Sequence, residues 1–454
     1  MKTKIAWSHI FSGIAIGICG NVHGTTIDNQ GKPNIIFILA DDLGYGDLSC
    51  QDGIDIQTPT IDQLFSQGVK FSNFYANSTV CSPTRASLMT GRFPDMVGVP
   101  GLVRSNEQNN WAYLLPEAIT LPQMLKKAGY QTALIGKWNL GLETPNLPNE
   151  RGFDLFHGFL NDMMDDYWTH QREGKNYMRL NRTEIDPQGH ATTIFSDWAV
   201  DYIGEKAKEK TPFFLYLAYN APHFPIEPPK EWLDKVKQRE GEIDEKRAKN
   251  IALVEHLDFE IGRVIKSLKE SGQYKNTVII FSSDNGGLLS VGASNGDLKG
   301  GKLDMYEGGI KVPTCMVWKG HIEPGKLAVE LGYTMDFFPT ICTIAGVAIN
   351  HQIDGIDLLP GIMGKEKTEQ ERMTFFMRRD GYDIEGFCYY AARKGPYKLV
   401  QNRPFEKFQL FNIETDPQET TPLEEKNEHF IELKFGLSQH IKKSGAIPWQ
   451  KSEE

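Results

Sequence analysis

The chain has 454 residues, of which 40% are hydrophobic and 24% charged, and its formal net charge is −10. This composition excludes a disordered or collagen-like chain. The acidic balance argues against a dedicated nucleic-acid binder, and any site for an anionic ligand would have to concentrate cations locally. Six cysteines are too few for a disulfide scaffold, and none forms the C-x-x-C pair of structural zinc sites.

The first 24 residues have the pattern of a secretory signal peptide. Lys2 and Lys4 precede a short apolar stretch, and small residues follow up to Gly24. The alternative is an uncleaved membrane anchor, but the apolar run is short for a bilayer span. No later segment has 18 uninterrupted apolar residues. We therefore expect a periplasmic or secreted protein with no stable membrane insertion.

From residue 33 the chain alternates short apolar runs with amphipathic stretches, which predicts a parallel or mixed sheet covered by helices. The predicted elements, in chain order, are a strand at 34–40, helices at 59–65 and 120–128, strands at 133–135 and 213–219, a helix at 246–271 and a strand at 277–281. A polar segment at 361–370 predicts a boundary between a catalytic domain, 25–365, and a small α+β domain, 366–454. The strands of that second domain are predicted at 374–377, 387–392 and 397–401.

Reactive side chains follow four of the predicted buried strands. They are Asp41 and Asp42, Lys137, His223, and Asp284 with Asn285. Ligands of open α/β sheets bind beyond the carboxyl ends of the strands, so parallel strands would bring these groups to one edge. Oxygen ligands suit Ca²⁺ or Mg²⁺. Each acidic pair alone equally fits a helix or turn cap, but two pairs, each followed by glycine, favour a metal site.

The segment from Cys81 to Arg85 has the uncommon pattern C-x-P-x-R and continues into a predicted helix. A thiol at the start of a helix is expected to have a lowered pKa. The alternative interpretation is an ordinary turn with a buried cysteine.

The longer segment CSPTRASLMTGR resembles the signature of the type I sulfatases, in which the cysteine is oxidised to formylglycine. NIIFILADDLGYGD, GKWNLG, APHFP, SSDNGG, GGKLDMYEGGIKVP and FQLFNIETDPQE resemble the same family and span about residues 33–420. The chain is identified as a member of this formylglycine-dependent family, similar to arylsulfatases and N-acetylgalactosamine sulfatases. The resemblance implies an alkaline-phosphatase-like α/β domain with a central mixed, mostly parallel sheet, and a smaller C-terminal α+β domain with an antiparallel sheet.

The resemblance also implies roles for individual residues. A formylglycine-generating or an anaerobic sulfatase-maturating enzyme would convert Cys81, whose hydrate attacks sulfur and later expels sulfate by returning to the aldehyde. The implied ligands of one Ca²⁺, preferred over Mg²⁺, are Asp41, Asp42, Cys81, Asp284 and Asn285. The implied catalytic residues are Arg85, which positions and ionises the hydrate, Lys137 and Lys302, which bind sulfate, and His223, the general acid.

Asn139 departs from the family pattern, because GKWNLG stands where GKWHLG is usual. That histidine helps to deprotonate the hydrate, whereas asparagine is not a base near neutral pH. Either another group assists sulfate release, or turnover is slower, or the site belongs to a divergent subgroup. We expect Asn139 still to contact the sulfate or the hydrate.

The segment RGFDLFHGFLNDMMDDYWTH resembles the subgroup that includes galactosamine-sulfate sulfatases. It predicts Asp166, Trp168 and His170 as substrate-binding residues, although Tyr167 and Trp168 equally fit a core position. The predicted function is exo-acting removal of sulfate from saccharides, galactose or N-acetylgalactosamine units among them, in sulfated polysaccharide degradation. The alternatives are a phosphodiesterase or phosphonate hydrolase of the same superfamily, and a sulfated-glycan-binding protein with impaired catalysis.

Overall fold

The computed structural model describes residues 31–106, 110–365, 372–379 and 388–451. The predicted signal peptide, 1–24, lies outside these residues, as does residue 366, where the second domain is predicted to begin. Within the described ranges, no helix has both the length and the apolar character needed to cross a bilayer. Residues from Lys32 onward form one compact unit, and the division at 365/366 stays a prediction.

The structure contains strands in a large sheet, a C-terminal sheet and two small pairs. The strands are β1 (Asn34–Ala40), β2 (Val69–Phe71), β3 (Phe74–Tyr75), β4 (Gln131–Lys137), β5 (Leu155–Phe159), β6 (Gln171–Arg172), β7 (Lys175–Asn176), β8 (Met178–Leu180), β9 (Thr183–Glu184), β10 (Phe213–Ala218), β11 (Thr277–Ser283), β12 (Thr314–Trp318), β13 (Lys326–Ala328), β14 (Gly332–Tyr333), β15 (Met373–Arg379), β16 (Cys388–Lys394), β17 (Tyr397–Gln401) and β18 (Gln409–Asn412). The helices are α1 (Pro59–Gln67), α2 (Cys81–Thr90), α3 (Leu121–Lys127), α4 (Ala191–Lys206), α5 (Lys230–Glu240), α6 (Glu245–Glu270), α7 (Glu307–Ile310), α8 (Phe337–Ala345), α9 (Leu359–Ile362) and α10 (Glu428–Ser444).

The large sheet has the strand order β13-β2-β12-β11-β1-β10-β4-β5-β8-β9. Its five central strands, from β11 to β5, are parallel to one another. Antiparallel pairing begins on both sides, at β12 and at β8. The predicted mixed, mostly parallel sheet between helices is therefore confirmed.

The central strand β1 shows why its sequence is continuously apolar. Ile35, Phe37 and Leu39 pack into the core formed with α2, α3 and α8. Ile36 and Ile38 point to the opposite face and pack with α1, α4, α5 and α6. Successive side chains of a strand point to opposite faces, and here both faces are covered, so neither set can be polar.

Helix ends follow the capping residues of the sequence. The longest helix, α6, begins after Asp244, whose carboxylate accepts hydrogen bonds from the backbone N–H groups of Lys246 and Arg247. The helix α3 begins after Thr120, whose backbone N–H donates to the side chain of Gln123. These contacts satisfy N–H groups that have no partner inside the helix.

The C-terminal sheet is antiparallel, in the order β15-β16-β17-β18. The helix α10 covers one face of it and packs Phe430, Leu433 and Leu437 against Leu399 and Leu410. The predicted antiparallel sheet near the C-terminus is thus confirmed.

Candidate active site

The register of the parallel strands brings their carboxyl ends to one level. Ala40 at the end of β1 pairs with Ser283 of β11, and Leu39 pairs with Ala218 of β10. Ala218 in turn pairs with Gly136 of β4. The residues that follow these strands therefore meet at one edge of the sheet, as the sequence predicts.

Gly136 allows β4 to deliver Lys137 to this edge. Its φ is +103°, and a Cβ at this position would lie 2.0 Å from the carbonyl oxygen of Ala218. Any side chain here would force β4 away from β10, so glycine is required immediately before Lys137.

Cys81 is the first residue of α2 and is buried. Its thiol donates a hydrogen bond of 3.2 Å to Oδ1 of Asp41. The prediction of a lowered thiol pKa is wrong. Burial raises the pKa of Cys81 well above its ordinary value, and the carboxylates of Asp284 and Asp41 raise it further. These effects outweigh the helix N-terminus, so the unmodified thiol is protonated near neutral pH and a weak nucleophile.

Arg85, one turn along α2, joins the two acidic strand ends. Its guanidinium is fully buried and donates two hydrogen bonds, of 2.7 and 3.1 Å, to Oδ2 of Asp284. It also lies 3.5 Å from Oδ1 of Asp41. The carbonyl oxygen of Lys137 accepts a further hydrogen bond of 3.3 Å. Arg85 thus fixes the ends of β1, β4 and β11 relative to α2.

The two lysines each approach one carboxylate of the first strand end. Lys137 Nζ lies 2.6 Å from Oδ2 of Asp41, and Lys302 Nζ lies 2.7 Å from Oδ2 of Asp42. Burial raises the pKa of Asp41, but Lys137 and the other nearby cations outweigh this and hold it below its usual range. For Asp284, burial and the charge of Asp41 raise the pKa to about 7.

His223 is held in one tautomer. Its Nδ1 lies 2.6 Å from the carbonyl oxygen of Phe224, which can only accept, so Nδ1 carries the proton. Its Nε2 lies 2.9 Å from Lys302 Nζ and accepts from that ammonium. Burial lowers the pKa of His223, and the charge of Lys302 lowers it further. The imidazole is therefore neutral here, with Nε2 facing the cluster.

Ligand atoms of Asp41, Asp42, Cys81 and His223 all lie within 4.8 Å of one another. Asp284 is not in this group of four; its Oδ2 accepts from Arg85 and its Oδ1 from the backbone N–H of Asp42. Among the described residues, Oδ1 of the buried Asn285 has no hydrogen-bond partner, while its Nδ2 donates to Oδ1 of Asp42 at 2.8 Å. An orphaned buried oxygen beside a cluster of carboxylates fits a hard cation.

Asn139 is buried and lies two residues after the end of β4. Its φ is +55°, a region in which asparagine is one of the better-tolerated side chains. Its Nδ2 donates to the carbonyl oxygen of Val103 at 3.0 Å, and Val103 N–H donates to Ser82 Oγ. Its buried Oδ1 has no partner among the described residues. Asn139 therefore stabilises the segment that packs on α2. Its predicted contact with the sulfate or the hydrate stays a prediction.

The three predicted substrate-binding residues have different environments. Oδ1 of Asp166 accepts from the backbone N–H groups of Trp168 and Thr169, so this carboxylate shapes its own turn. His170 is buried, and its Nε2 contacts the carbonyl oxygen of Gly189. Trp168 is 48% exposed, so it does not belong to the core. Of the three, Trp168 has a face available to a ligand.

Tyr167, which the sequence leaves undecided, belongs to the core and links this turn to His223. Its hydroxyl lies 2.7 Å from the carbonyl oxygen of His223 and 2.9 Å from that of Asn220. Its backbone N–H donates to Glu227. The turn at 165–170 is thus fixed to the segment that carries His223.

Two features of the site are missed by sequence reasoning. Val80, Leu102 and Leu303 form a small apolar wall beside Cys81, and no sequence signal distinguishes these residues from ordinary core. Residues of the C-terminal sheet and the turn after it contact the loop around Lys302, as with Glu419 and Glu307. Glu419 lies in the FQLFNIETDPQE motif, but the motif does not specify these partners.

Comparisons with known proteins find similar sequences and structures. A profile of the family described as Sulfatase matches residues 33–347, and one described as the C-terminal part of N-sulphoglucosamine sulphohydrolase matches residues 301–445. N-acetylgalactosamine-6-sulfatase of Mus musculus is 32% identical over 394 residues, which cover 81% of this chain and 71% of that protein. Arylsulfatase A of Homo sapiens is 31% identical over 398 residues, covering 81% and 74%.

Two solved structures extend the comparison. The structure of Ps i-CgsB in complex with k-i-k-neocarrahexaose has a TM-score of 0.84 and 30% identity, covering 93% of this chain and 96% of that one. The phosphonate monoester hydrolase of Agrobacterium radiobacter has a TM-score of 0.66 and 19% identity, covering 91% and 96%. At that identity the second likeness concerns the fold alone.

Proposed function

The chain belongs to the sulfatase family and is a sulfuric ester hydrolase, and we propose that it removes sulfate from saccharides with a formylglycine formed from Cys81 as nucleophile. The observation that carries this proposal is the meeting of Cys81 with buried carboxylates and buried cations at one sheet edge. The modified side chain supplies a hydrated aldehyde, whose oxygen attacks sulfur and whose second hydroxyl allows sulfate to be released.

The acidic residues would hold a divalent cation, for which we propose Ca²⁺. The proposed ligands are Asp41, Asp42, Asp284, Asn285 and the modified Cys81. The orphaned oxygen of Asn285 and the preference of hard cations for oxygen ligands support this set. Such a cation polarises sulfate oxygens and lowers the pKa of a coordinated hydroxyl.

The charges of the site suit an anionic substrate. Asp41, Asp42 and Asp284, if ionised, are balanced by Arg85, Lys137 and Lys302, so the protein alone contributes no net charge there. A bound dication would leave a local excess of two positive charges, which a sulfate ester and an ionised nucleophile would balance. The global charge of −10 is thus no obstacle to binding sulfate.

Lys137 and Lys302 are proposed to bind the sulfate oxygens and to stabilise the charge that develops on them. Their Nζ atoms approach the cluster from two sides, through Asp41 and Asp42 respectively. Both ammonium groups are buried, and in a site of low dielectric their effect on an oxyanion is larger than in water.

His223 is proposed as the general acid. The hydrogen bond from Nδ1 to Phe224 fixes the ring and directs Nε2 into the site. In the catalytic cycle Nε2 must gain a proton, which it then gives to the sugar oxygen as the bond from that oxygen to sulfur breaks. Lys302 donates to Nε2 here, so Nε2 must exchange this hydrogen bond for a proton taken from solvent before it can act as the acid.

The proposed substrate is a sulfated galactose or N-acetylgalactosamine unit at the end of a chain. The names of the similar proteins, an N-acetylgalactosamine-6-sulfatase and a protein crystallised with a neocarrahexaose, support a saccharide. The half-exposed Trp168 offers an aromatic face on which a sugar ring can stack. We further propose export by the signal peptide to the periplasm or medium, and maturation of Cys81 by a formylglycine-generating or anaerobic sulfatase-maturating enzyme.

Release of sulfate from a panel of defined saccharides tests this function. The panel contains galactose and N-acetylgalactosamine sulfated at single positions, each as monosaccharide and at the end of an oligosaccharide, with phosphate and phosphonate monoesters as controls. We expect sulfate release from at least one sugar, and the Cys81→Ala protein should release none. Turnover of the phosphonate alone, or no sulfate release by protein with confirmed formylglycine, would contradict the proposal.

A further inference from the structure

Lys302 stands in a loop, residues 299–307, that we call the Lys302 loop. Between β11 and β12 the chain forms turns, a short 3₁₀ helix and the four-residue helix α7, with no long element to stiffen it. Within the loop, the N–H of Gly301 donates to Oδ2 of Asp304. The backbone N–H of Lys302 donates to the carbonyl oxygen of Gly287 at 3.0 Å. Further contacts to the loop come from the C-terminal part of the chain.

Glu419, in the turn that follows β18, holds both ends of the Lys302 loop. At one end its carbonyl oxygen accepts from Lys299 Nζ at 2.8 Å. At the other end its carboxylate accepts from the backbone N–H of Glu307 at 2.6 Å. A single residue from a distant part of the chain thus fixes the first and last residues of the loop.

The environment of Glu419 indicates a dedicated role. The residue is fully buried, and its φ of +52° lies in the left-handed region that side chains other than glycine rarely adopt. Its Oε1 lies 3.0 Å from Lys398 Nζ, which also lies 2.9 Å from Oε1 of Glu307. Burying these three charges has a desolvation cost that apolar side chains would avoid, so stability alone does not account for them.

The middle of the loop is held by two residues of the C-terminal sheet and the segment beside it. Asn402 Oδ1 accepts from the N–H of Met305 at 2.5 Å, and its Nδ2 donates to Asp304 Oδ1 at 2.9 Å. Arg378 Nη1 donates to the carbonyl oxygen of Leu303 at 2.5 Å. Leu303 itself has a φ of +83°, so the backbone next to Lys302 is constrained as well.

We propose that Asn402 and Glu419 are positioning residues for the sulfatase reaction, and that they act through Lys302. By fixing the Lys302 loop at its middle and at both ends, they keep Lys302 Nζ against Asp42 and His223, where the sulfate and the leaving group would lie. This inference rests on the proposed function. It makes the C-terminal sheet and the turn after it part of the catalytic apparatus.

A double-mutant cycle tests the proposal. Asn402→Ala removes two hydrogen bonds without leaving a buried charge, and we expect kcat/KM to fall about tenfold, the effect of one to two such bonds. In a Lys302→Ala background the same change should cost less than about twofold, because the group through which it acts is gone. Equal losses in both backgrounds would show a general structural effect and overturn the proposal.

Asn427→Ala is the matched control. It is the same substitution in the same part of the chain, and it removes the N-cap of α10, where the side chain accepts from His429 N–H. We expect a lower melting temperature with unchanged kcat/KM. Asn402→Ala also loses hydrogen bonds and should melt at a lower temperature, but unlike the control it should show the fall in kcat/KM. A fall in kcat/KM as large for Asn427→Ala as for Asn402→Ala would also overturn the proposal.

Hydrogen exchange gives a readout that needs no substrate. In Asn402→Ala and in Glu419→Ala, which removes the acceptor of the Glu307 N–H, amides of residues 299–307 should exchange at least about tenfold faster, whereas those of β11 should not change. Unchanged exchange in the loop would overturn the proposal even if Lys302→Ala has no measurable activity. If the native protein hydrolyses no sulfated saccharide while the loop still exchanges faster in the variants, the proposed function fails and the structural coupling stands.

Discussion

Cys81, Arg85 and Asp284 belong to a helix and a strand end of the central sheet, whereas Lys302 belongs to a loop held by residues about a hundred positions further along the chain. On the first side, the register of parallel strands and the buried guanidinium of Arg85 fix every group. On the second side, a backbone hydrogen bond from Lys302 to Gly287 is joined by hydrogen bonds from β15 and from the turns after β17 and β18. We call Cys81, Arg85 and Asp284 the nucleophile side, after the proposed role of Cys81, and Lys302 with its loop the Lys302 side. The nucleophile side is fixed by the sheet and α2, whereas the Lys302 side depends on contacts with distant segments.

The largest effect is expected on the nucleophile side. Cys81→Ser should reduce turnover below about one thousandth of the native rate, because a serine that is not oxidised lacks the second hydroxyl needed to release sulfate. Serine offers Asp41 a hydroxyl donor in place of the thiol, so the melting temperature should change little. Cys50→Ser, at a half-buried cysteine, is the control and should retain activity, assayed by sulfate release. Substantial residual activity of Cys81→Ser would show that the nucleophile lies elsewhere.

The second-largest effect is expected from removal of the cation. Dialysis against a chelator should lower kcat/KM at least about a hundredfold, and added Ca²⁺ should restore it better than Mg²⁺. Asp284→Asn should not be restored at the same Ca²⁺ concentration. Activity that survives chelation, in protein shown by elemental analysis to be free of metal, would contradict the assignment of the acidic residues.

Substitution of Lys302 should lower activity less than loss of the nucleophile or the cation. Lys302→Ala should lower kcat/KM about a hundredfold, since Lys137 remains to bind sulfate. The exposed Lys266 supplies the control, and Lys266→Ala should leave kcat/KM unchanged. A native rate for Lys302→Ala would remove the reason to distinguish two sides of the site.

Asn139 is expected to have a smaller effect. Asn139→Gly removes the side chain while tolerating the positive φ, and we expect about a tenfold fall in kcat. Asn139→Ala loses the same side-chain contacts but adds backbone strain. The difference in melting temperature between the Ala and Gly variants therefore measures the strain separately from the lost contacts. If Asn139→Gly leaves both kcat and KM unchanged, the side chain does not contact the sulfate or the hydrate.

The smallest effect is expected for Trp168. Trp168→Ala should raise KM for an oligosaccharide about threefold without changing kcat, because a stacking face outside the reacting centre contributes to binding alone. Trp198 is not a suitable control for this measurement, because it is partly buried and packs from α4 against the core. Leu327→Ala, at an exposed apolar residue, should leave KM unchanged.

The sequence predicts the nucleophile side well because that side is local. A buried strand followed by Asp41 and Asp42, or by Asp284 and Asn285, can be recognised in a single segment. Parallel pairing then brings the segments together without further information. The sheet, its faces and the helix at Cys81 follow from the same patterns.

The other features of the site could not be predicted, because they arise from contacts between distant segments. The raised pKa of Cys81 comes from burial and from the carboxylates that follow β1 and β11, which the local helix-start rule ignores. The internal hydrogen bonds of Asp166 depend on the turn conformation. The contacts of Glu419 with Lys299 and Glu307 span more than a hundred residues, and no pattern within the DPQE segment specifies its partners.

The mass of the peptide that contains Cys81, taken from protein made in its native host, tests the central claim most directly. Conversion of the thiol to the aldehyde lowers the mass by about 18 Da. We predict this loss in active protein, with sulfate release in proportion to the converted fraction. Full activity from protein in which Cys81 remains an unmodified thiol would contradict the account.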